Sequence, residues 1–164
     1  MKTAPNLRAA APSVEIRIDS ALWQAQPLAE QTARDAIAAA ATLAAASGEV
    51  SIVLTDDAAI KKLNADWRGI DKATNVLSFP APKGPGDAKL LGDIVIAYET
   101  LVQECDDEGH KFLHHLAHLT VHGFLHLIGY DHENDSQADE MEGLESKIMS
   151  AMKMPDPYIA RDLG

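Results

Sequence analysis

The chain has 164 residues, the usual length of one domain, so we expect a single domain over residues 1–164 with one active site. Its 46% hydrophobic and 24% charged residues exclude an intrinsically disordered protein. A formal net charge of -11 argues against general nucleic-acid affinity, and no binding to DNA is expected.

Cysteine content and apolar runs limit the site type and the location. Cys105 is the only cysteine, which excludes an intramolecular disulfide and a multi-cysteine metal site. The longest apolar run, residues 36–46, is shorter than the about 20 residues that a membrane helix needs. The N-terminal residues lack the apolar stretch of a secretion signal. We therefore expect a cytoplasmic protein that does not bind membranes, with residues 1–12 as a candidate flexible segment.

The first half of the chain predicts alternating strands and helices. Apolar residues repeat every second position in the two strands, and helix formers dominate the segment between them. Gly48 is expected to end the first helix, and Thr55 or Asp56 to cap the second. The predicted elements are a strand at 14–18, a helix at 27–46, a strand at 50–54 and a helix from about 56 to 67.

The second half predicts two strands and then three helices. Pro80 is expected to end the third strand and to begin an exposed loop that reaches Gly86. Ser136 with Asp139 resembles a capping box for the last helix. The order indicates an α+β fold, a four-stranded mixed sheet packed with about five helices. The predicted elements are strands at 74–79 and 94–97 and helices from about 100, at 111–128 and at 137–152.

Histidines are crowded into one part of the chain and predict a metal site. His122 and His126 are four residues apart, so on a helix they lie on one face and can bind the same ion. Gly129 can end that helix in a left-handed conformation and turn the chain back, which brings His132 to the other two. Three histidine ligands leave a fourth position for water, an arrangement typical of catalytic zinc.

The remaining histidines lie on or beside the same helix. His118 continues the spacing of four, but it is about 12 Å along the axis from the second proposed ligand. His115 and His118 are expected either to support the ligands or simply to pack. His110 and His114 are expected on the surface. Asp131 is a candidate hydrogen-bond partner for an imidazole N–H.

The ligand spacing matches that of a known class of peptidases. Residues 122–132 read H-G-F-L-H-L-I-G-Y-D-H, which has the spacing of the metzincin motif H-E-x-x-H-x-x-G-x-x-H and predicts a zincin-like site. Gly123 stands where those peptidases carry the glutamate that acts as general base. A hydrolase of peptides or amides remains an alternative, but it would need a different base.

A longer pattern carries a closer resemblance. Residues 115–132 follow H-x-x-H-L-x-x-H-G-x-L-H-L-x-G-Y-D-H, which closely resembles the YbeY family of bacterial metal-dependent endoribonucleases. Asn75 stands where the family often has aspartate. The similarity covers most of residues 50–158 and includes further matches at 63–69, 74–80, 91–94, 141–142 and 157–158.

The resemblance implies a zinc-dependent, single-strand-directed endoribonuclease. Its expected role is 3′-end maturation of small-subunit (16S-type) ribosomal RNA and ribosome quality control. The expected partners are ribosomal RNA and the small ribosomal subunit or its assembly factors. The three histidines would bind one zinc ion, although nickel or another divalent metal also suits such ligands. A non-enzymatic ribosome-assembly factor stabilised by the metal is the second alternative.

Arg68 is implied as a catalytic residue by the same resemblance. A guanidinium can bind a phosphate in a bidentate way and offset charge that develops on phosphorus. Asp131 and Glu133 are both candidate general bases, as is a metal-bound hydroxide alone. Arg68 also lies in a locally basic segment expected to guide RNA, in which three aspartates are outnumbered by Lys61, Lys62, Arg68, Lys72, Lys83 and Lys89.

Overall fold

The computed structural model describes residues 12–82 and 90–159. The candidate flexible segment therefore lies outside the described residues, except for residue 12. In chain order the elements are β1 Ser13–Ile18, a 3-10 helix Ala21–Ala25, α1 Ala29–Ala44, β2 Glu49–Thr55, α2 Asp57–Arg68, β3 Val76–Pro80, β4 Leu90–Ala97, α3 Tyr98–Glu108, α4 Phe112–Leu127 and α5 Asp135–Ala151.

The four strands form one mixed sheet in the order β1-β2-β4-β3. Strands β1, β2 and β4 run parallel, and β3 pairs antiparallel with β4 as an edge strand. Together with five α-helices in the described ranges, this confirms the predicted α+β fold with a four-stranded mixed sheet. Within residues 12–82 and 90–159, no helix is both long and apolar enough to cross a bilayer.

Both faces of the sheet are covered by helices. One face packs against α1, α4 and α5 in the main core, and the other packs against α2 around Ile60. The face under α4 carries the fully buried side chains Ile52, Leu54, Ile94 and Ile96. Helix α1 contributes mostly small buried residues, which let it lie close to α4: Ala33, Ala36, Ile37, Ala40 and Ala41.

Two predicted helix signals are wrong. Helix α1 ends at Ala44, four residues before Gly48, because Ala45 takes the left-handed conformation (φ 54°) and its N–H reaches back into the helix. Helix α5 is capped by Asn134, whose side chain accepts a hydrogen bond from the Gln137 N–H at 2.9 Å. The helix therefore begins before Ser136, and the proposed capping box is not formed.

The remaining elements agree with the predictions apart from their ends. Asp56, not Thr55, caps α2 by accepting a hydrogen bond from the Ala59 N–H at 3.0 Å. Pro80 is the last residue of β3 and not the first of a loop. Residues 83–86 of the predicted loop lie outside the described ranges. The short 3-10 helix was not predicted.

Helix α4 lies directly on strands β3 and β4, and Gly123 makes this possible. A Cβ at Gly123 would be 2.9 Å from Cγ2 of Ile94 and 3.1 Å from Oγ of Ser78. The Ser78 hydroxyl donates a hydrogen bond to the Gly123 carbonyl at 3.0 Å, which ties the helix to the strand. The glycine thus determines how closely the histidine-bearing helix approaches the sheet.

We expect Gly123→Ala to destabilise the protein, because Ile94 is fully buried and cannot move away from the added methyl group. Overpacking of this kind costs about 1–3 kcal/mol and outweighs the gain in helix propensity. Gly143→Ala in α5 is the matched control, since its Cβ would meet nothing within 4 Å. The control should gain about 0.5–1 kcal/mol in urea unfolding. Equal stabilisation by both substitutions would contradict the packing described here.

Candidate metal centre and substrate cleft

His122, His126 and His132 come together at one end of a cleft. The first two are separated by one turn of α4, and Gly129 (φ 108°) turns the chain so that His132 returns to them. The ring centroids are 4.7 Å apart for His122–His126, 5.1 Å for His126–His132 and 5.6 Å for His122–His132. One nitrogen from each ring lies within 4.8 Å of the others, so the three can hold a metal ion.

The separation of one pair of ring nitrogens fits two ligands of a shared metal ion such as zinc. Nε2 of His122 and Nε2 of His126 are 3.2 Å apart. Two nitrogens bound at about 2.0–2.1 Å to a tetrahedral zinc ion lie about 3.3–3.4 Å apart. Burial, and the neighbouring rings of His122 and His132, lower the pKa of His126. The ring therefore favours the neutral form, which has the lone pair that a metal requires.

Glu145 of α5 fixes the orientation of His122. Its Oε2 is 2.7 Å from Nδ1 of His122, so Nδ1 carries the proton and Nε2 keeps its lone pair toward His126. Glu145 is fully buried, and its other oxygen is 2.8 Å from Nε2 of His118 and also accepts from the Tyr158 hydroxyl. Carboxylates in this position commonly orient the histidines of metal sites.

The charge of Glu145 is maintained despite its burial. Burial would raise the pKa of the carboxyl group, but the hydrogen bonds from His118 and His122 outweigh it and lower the pKa to about 2. Glu145 was not predicted from the sequence. The sequence feature that could have identified it is a glutamate on the buried face of α5, among the apolar residues Met141, Ile148 and Met149.

The other two predicted polar residues, His118 and Asp131, have hydrogen-bond partners outside the three-histidine group or on its backbone. His118 does not join the three-histidine group but bonds to Glu145, which favours the supporting role over simple packing. Asp131 accepts a hydrogen bond from the backbone N–H of His132 at 2.8 Å, so the ring partner of His122 is Glu145 and not Asp131.

His115 belongs to a second polar group in the wall of the cleft, which is partly buried. Its Nε2 is 2.8 Å from Oε1 of Glu104, and the Asn75 amide donates to the same carboxylate at 2.9 Å. His110 stacks on His115 with ring centroids 5.0 Å apart. His110 and His114 are both partly buried but still reach the surface.

A cleft of about 790 Å³ connects the histidines to Arg68. Arg68 is the last residue of α2, and its guanidinium donates to the Ser78 carbonyl at 2.7 Å and lies 5.3 Å from the centre of the Phe79 ring. Ser78 is the same residue whose hydroxyl holds α4 at Gly123. The cleft is also lined by both candidate general bases, Asp131 and Glu133.

The outer edge of β3 is poorly suited to pairing with another strand. The bonds Ala97 N–H to Asn75 C=O and Ala81 N–H to Leu91 C=O fix the ladder, so residues 76, 78 and 80 point their backbone groups outward. Of these groups, the residue-76 N–H is bonded to the Asn75 side chain and the residue-78 carbonyl to Arg68. Residue 80 is a proline and has no N–H.

The predicted basic segment is partly confirmed as a surface feature. Lys61, Lys62 and Lys72 are exposed, as is Arg68. Lys62 lies 3.8 Å from Asp66, which offsets one of these charges. The remaining two lysines of the segment are outside the described ranges.

Comparison with known proteins gives one consistent result. The profile of the family described as endoribonuclease YbeY matches residues 16–153. An endoribonuclease YbeY from a Bradyrhizobium species is 54% identical over 160 residues, which cover 92% of this chain and 95% of that protein. One from Rhodopseudomonas palustris is 53% identical over 159 residues, with 92% and 95% covered.

A solved structure shares the fold. The solution structure of a protein from Thermotoga maritima aligns with a TM-score of 0.55 and 23% identity over 92% of this chain and 98% of that one. The family resemblance drawn from the histidine pattern and the expectation of a hydrolytic nuclease are confirmed by these matches. The chain belongs to the endoribonuclease YbeY family.

Proposed function

We propose that this protein is a zinc-dependent endoribonuclease that cuts single-stranded RNA, with His122, His126 and His132 as the metal ligands and Arg68 as a catalytic residue. Its proposed role is 3′-end maturation of small-subunit ribosomal RNA and ribosome quality control in the cytoplasm. The observation that carries the proposal is the placement of three converging imidazoles and one guanidinium in the lining of a single cleft.

The residues of the cleft have separate roles in phosphodiester hydrolysis. A zinc ion held by the three rings would lower the pKa of a bound water and polarise a phosphoryl oxygen. Glu145 keeps Nε2 of His122 available, since it binds the opposite side of the ring. Arg68 binds the phosphate of the substrate. Its hydrogen bond to the Ser78 carbonyl fixes the position of the guanidinium before substrate arrives. Asp131 and Glu133 line the same cleft and are the candidate general bases, beside a metal-bound hydroxide alone.

Two features argue against the peptidase alternative. Position 123, where metzincins carry their catalytic glutamate, faces the sheet and has no room even for a Cβ. Substrate peptides commonly bind by adding a strand to a free sheet edge, and the edge beside this cleft is partly blocked by Arg68, Asn75 and a proline. The same guanidinium that blocks the edge is suited to a phosphate.

The proposed partner is the small ribosomal subunit or one of its assembly factors. The net charge of -11 repels a polyanion over most of the surface, so the protein alone should bind RNA weakly. A larger partner that holds the RNA end at the cleft would overcome this repulsion. A non-enzymatic assembly factor could use the same guanidinium to bind a phosphate, so the cleavage test below separates the two alternatives.

The first test measures cleavage of a single-stranded RNA that carries the precursor 3′ end of small-subunit rRNA. We expect Arg68→Ala to reduce kcat about 10²–10³-fold, because it removes charge stabilisation from the transition state. Arg68→Lys should restore activity only in part, since an ammonium cannot bind phosphate in a bidentate way. His126→Ala, shown to be folded by circular dichroism, should abolish cleavage.

Arg17→Ala is the matched control for the loss of an exposed arginine. Arg17 lies on β1 at the opposite edge of the sheet, where it pairs with Asp19 at 2.9 Å. Its removal should leave cleavage unchanged. Equal cutting by all variants would indicate a contaminating nuclease and would support the non-enzymatic assembly factor.

The second test concerns metal affinity. We expect Glu145→Gln to weaken zinc binding about 10–100-fold, because the amide keeps the shape of the carboxylate but not its charge on His122 and His118. Competition with a zinc-binding dye measures the dissociation constant. Glu142→Gln, at an exposed position of the same helix, is the control and should not change it. Unchanged affinity in Glu145→Gln would argue against the orienting role.

A further inference from the structure

We propose that Trp67 is a stacking platform for a nucleobase of the single-stranded substrate, beside the phosphate held by Arg68. The inference rests on the proposed function and adds to it a residue that recognises unpaired bases. Trp67 is 70% exposed, the highest value for a large hydrophobic side chain among residues 12–82 and 90–159. Tryptophan is highly buried on average, and it is enriched at binding interfaces.

Trp67 is held in place although it is exposed. Its ring meets the Phe79 ring edge-to-face, with centroids 6.2 Å apart and an interplanar angle of 65°. Phe79 itself packs against the smaller core cluster, so it anchors the indole to the sheet. A positioned ring loses little freedom on binding, and a large part of its surface remains available for a base.

Phe79 packs on the α2 side of the sheet and contacts both Trp67 and Arg68. The guanidinium of Arg68 lies 5.3 Å from the centre of the Phe79 ring, so Trp67 and Arg68 share one support. Arg68 lines the cleft that contains the three histidines, whereas Trp67 and Phe79 do not line it. Because both side chains contact the Phe79 ring, an RNA strand whose phosphate is bound by Arg68 would place an adjacent base at Trp67.

The chemistry of the neighbourhood favours single-stranded nucleic acid over other ligands. Proteins that bind single strands combine cations along the backbone with aromatic rings under successive bases. Arg68 supplies the cation, and Lys72 lies exposed on the segment that follows α2. A duplex keeps its bases stacked on each other, so an indole at this position selects for unpaired RNA.

The test uses single-stranded RNA oligonucleotides with 2′-O-methyl groups, checked by gel to remain intact, and the zinc-loaded protein. We expect Trp67→Ala to raise Kd about tenfold and Trp67→Phe to raise it much less, because a phenyl ring can still stack. An oligonucleotide with abasic positions should bind wild type and Trp67→Ala equally. Leu28→Ala, an exposed apolar residue before α1, is the control and should leave Kd unchanged.

Fluorescence gives a readout that is independent of activity. The chain has two tryptophans, and Trp23 is only 2% exposed. We expect RNA to quench the wild-type signal and not that of Trp67→Phe, in which only Trp23 remains.

The outcomes separate this inference from the proposed function. If wild type and Trp67→Ala bind and cut RNA equally, the stacking role is overturned while the proposed nuclease function stands. The same conclusion follows if Trp67→Ala still raises Kd for abasic RNA. If wild type neither binds nor cuts single-stranded RNA, the proposed function fails and the stacking role fails with it.

Discussion

The contact between α4 and the antiparallel pair β3–β4 connects the two halves of the cleft. It exists because Gly123 has no side chain, and it is fixed by the bond from the Ser78 hydroxyl to the Gly123 carbonyl. The preceding residue on the helix is His122, and the Ser78 backbone carbonyl holds Arg68. One serine therefore links the proposed metal centre to the proposed phosphate-binding group, and a shift of either element would change the distance between them.

A buried charge makes the second essential connection. Glu145 of α5 is fully buried and remains ionised through its bonds to two histidines of α4 and to Tyr158 near the end of the described chain. Removing one partner of such a group leaves an uncompensated charge in the core, which is strongly destabilising. The proposed metal centre and the packing of α5 against α4 thus depend on the same carboxylate.

Local sequence patterns predicted the features that depend on neighbouring residues. The i, i+4 spacing placed His122 and His126 on one helix face, and Gly129 predicted the turn that returns His132. Alternating apolar residues likewise predicted β1 and β2 closely. The cap of α5 failed as a prediction because Asn134, two residues earlier than Ser136, offers a competing acceptor to the same turn.

Features that depend on distant contacts were not predictable from spacing. Glu145 is 23 residues from His122, and only the packing of α5 on α4 brings the two side chains together. The role of Gly123 was visible as a missing glutamate, but its physical reason, contact with Ile94 and Ser78, required the sheet order. The pairing of Arg68 with the β3 edge likewise depends on tertiary structure.

Metal reconstitution tests the central claim most directly. Purified protein is stripped with a chelator, shown to remain folded, and titrated with zinc while cleavage of the single-stranded precursor RNA is followed. Activity should fall to background on stripping and return with added zinc, reaching a plateau at one ion per chain. Cleavage that persists after complete metal removal, or that zinc and other divalent ions all fail to restore, would contradict a metal-dependent nuclease centred on the three histidines.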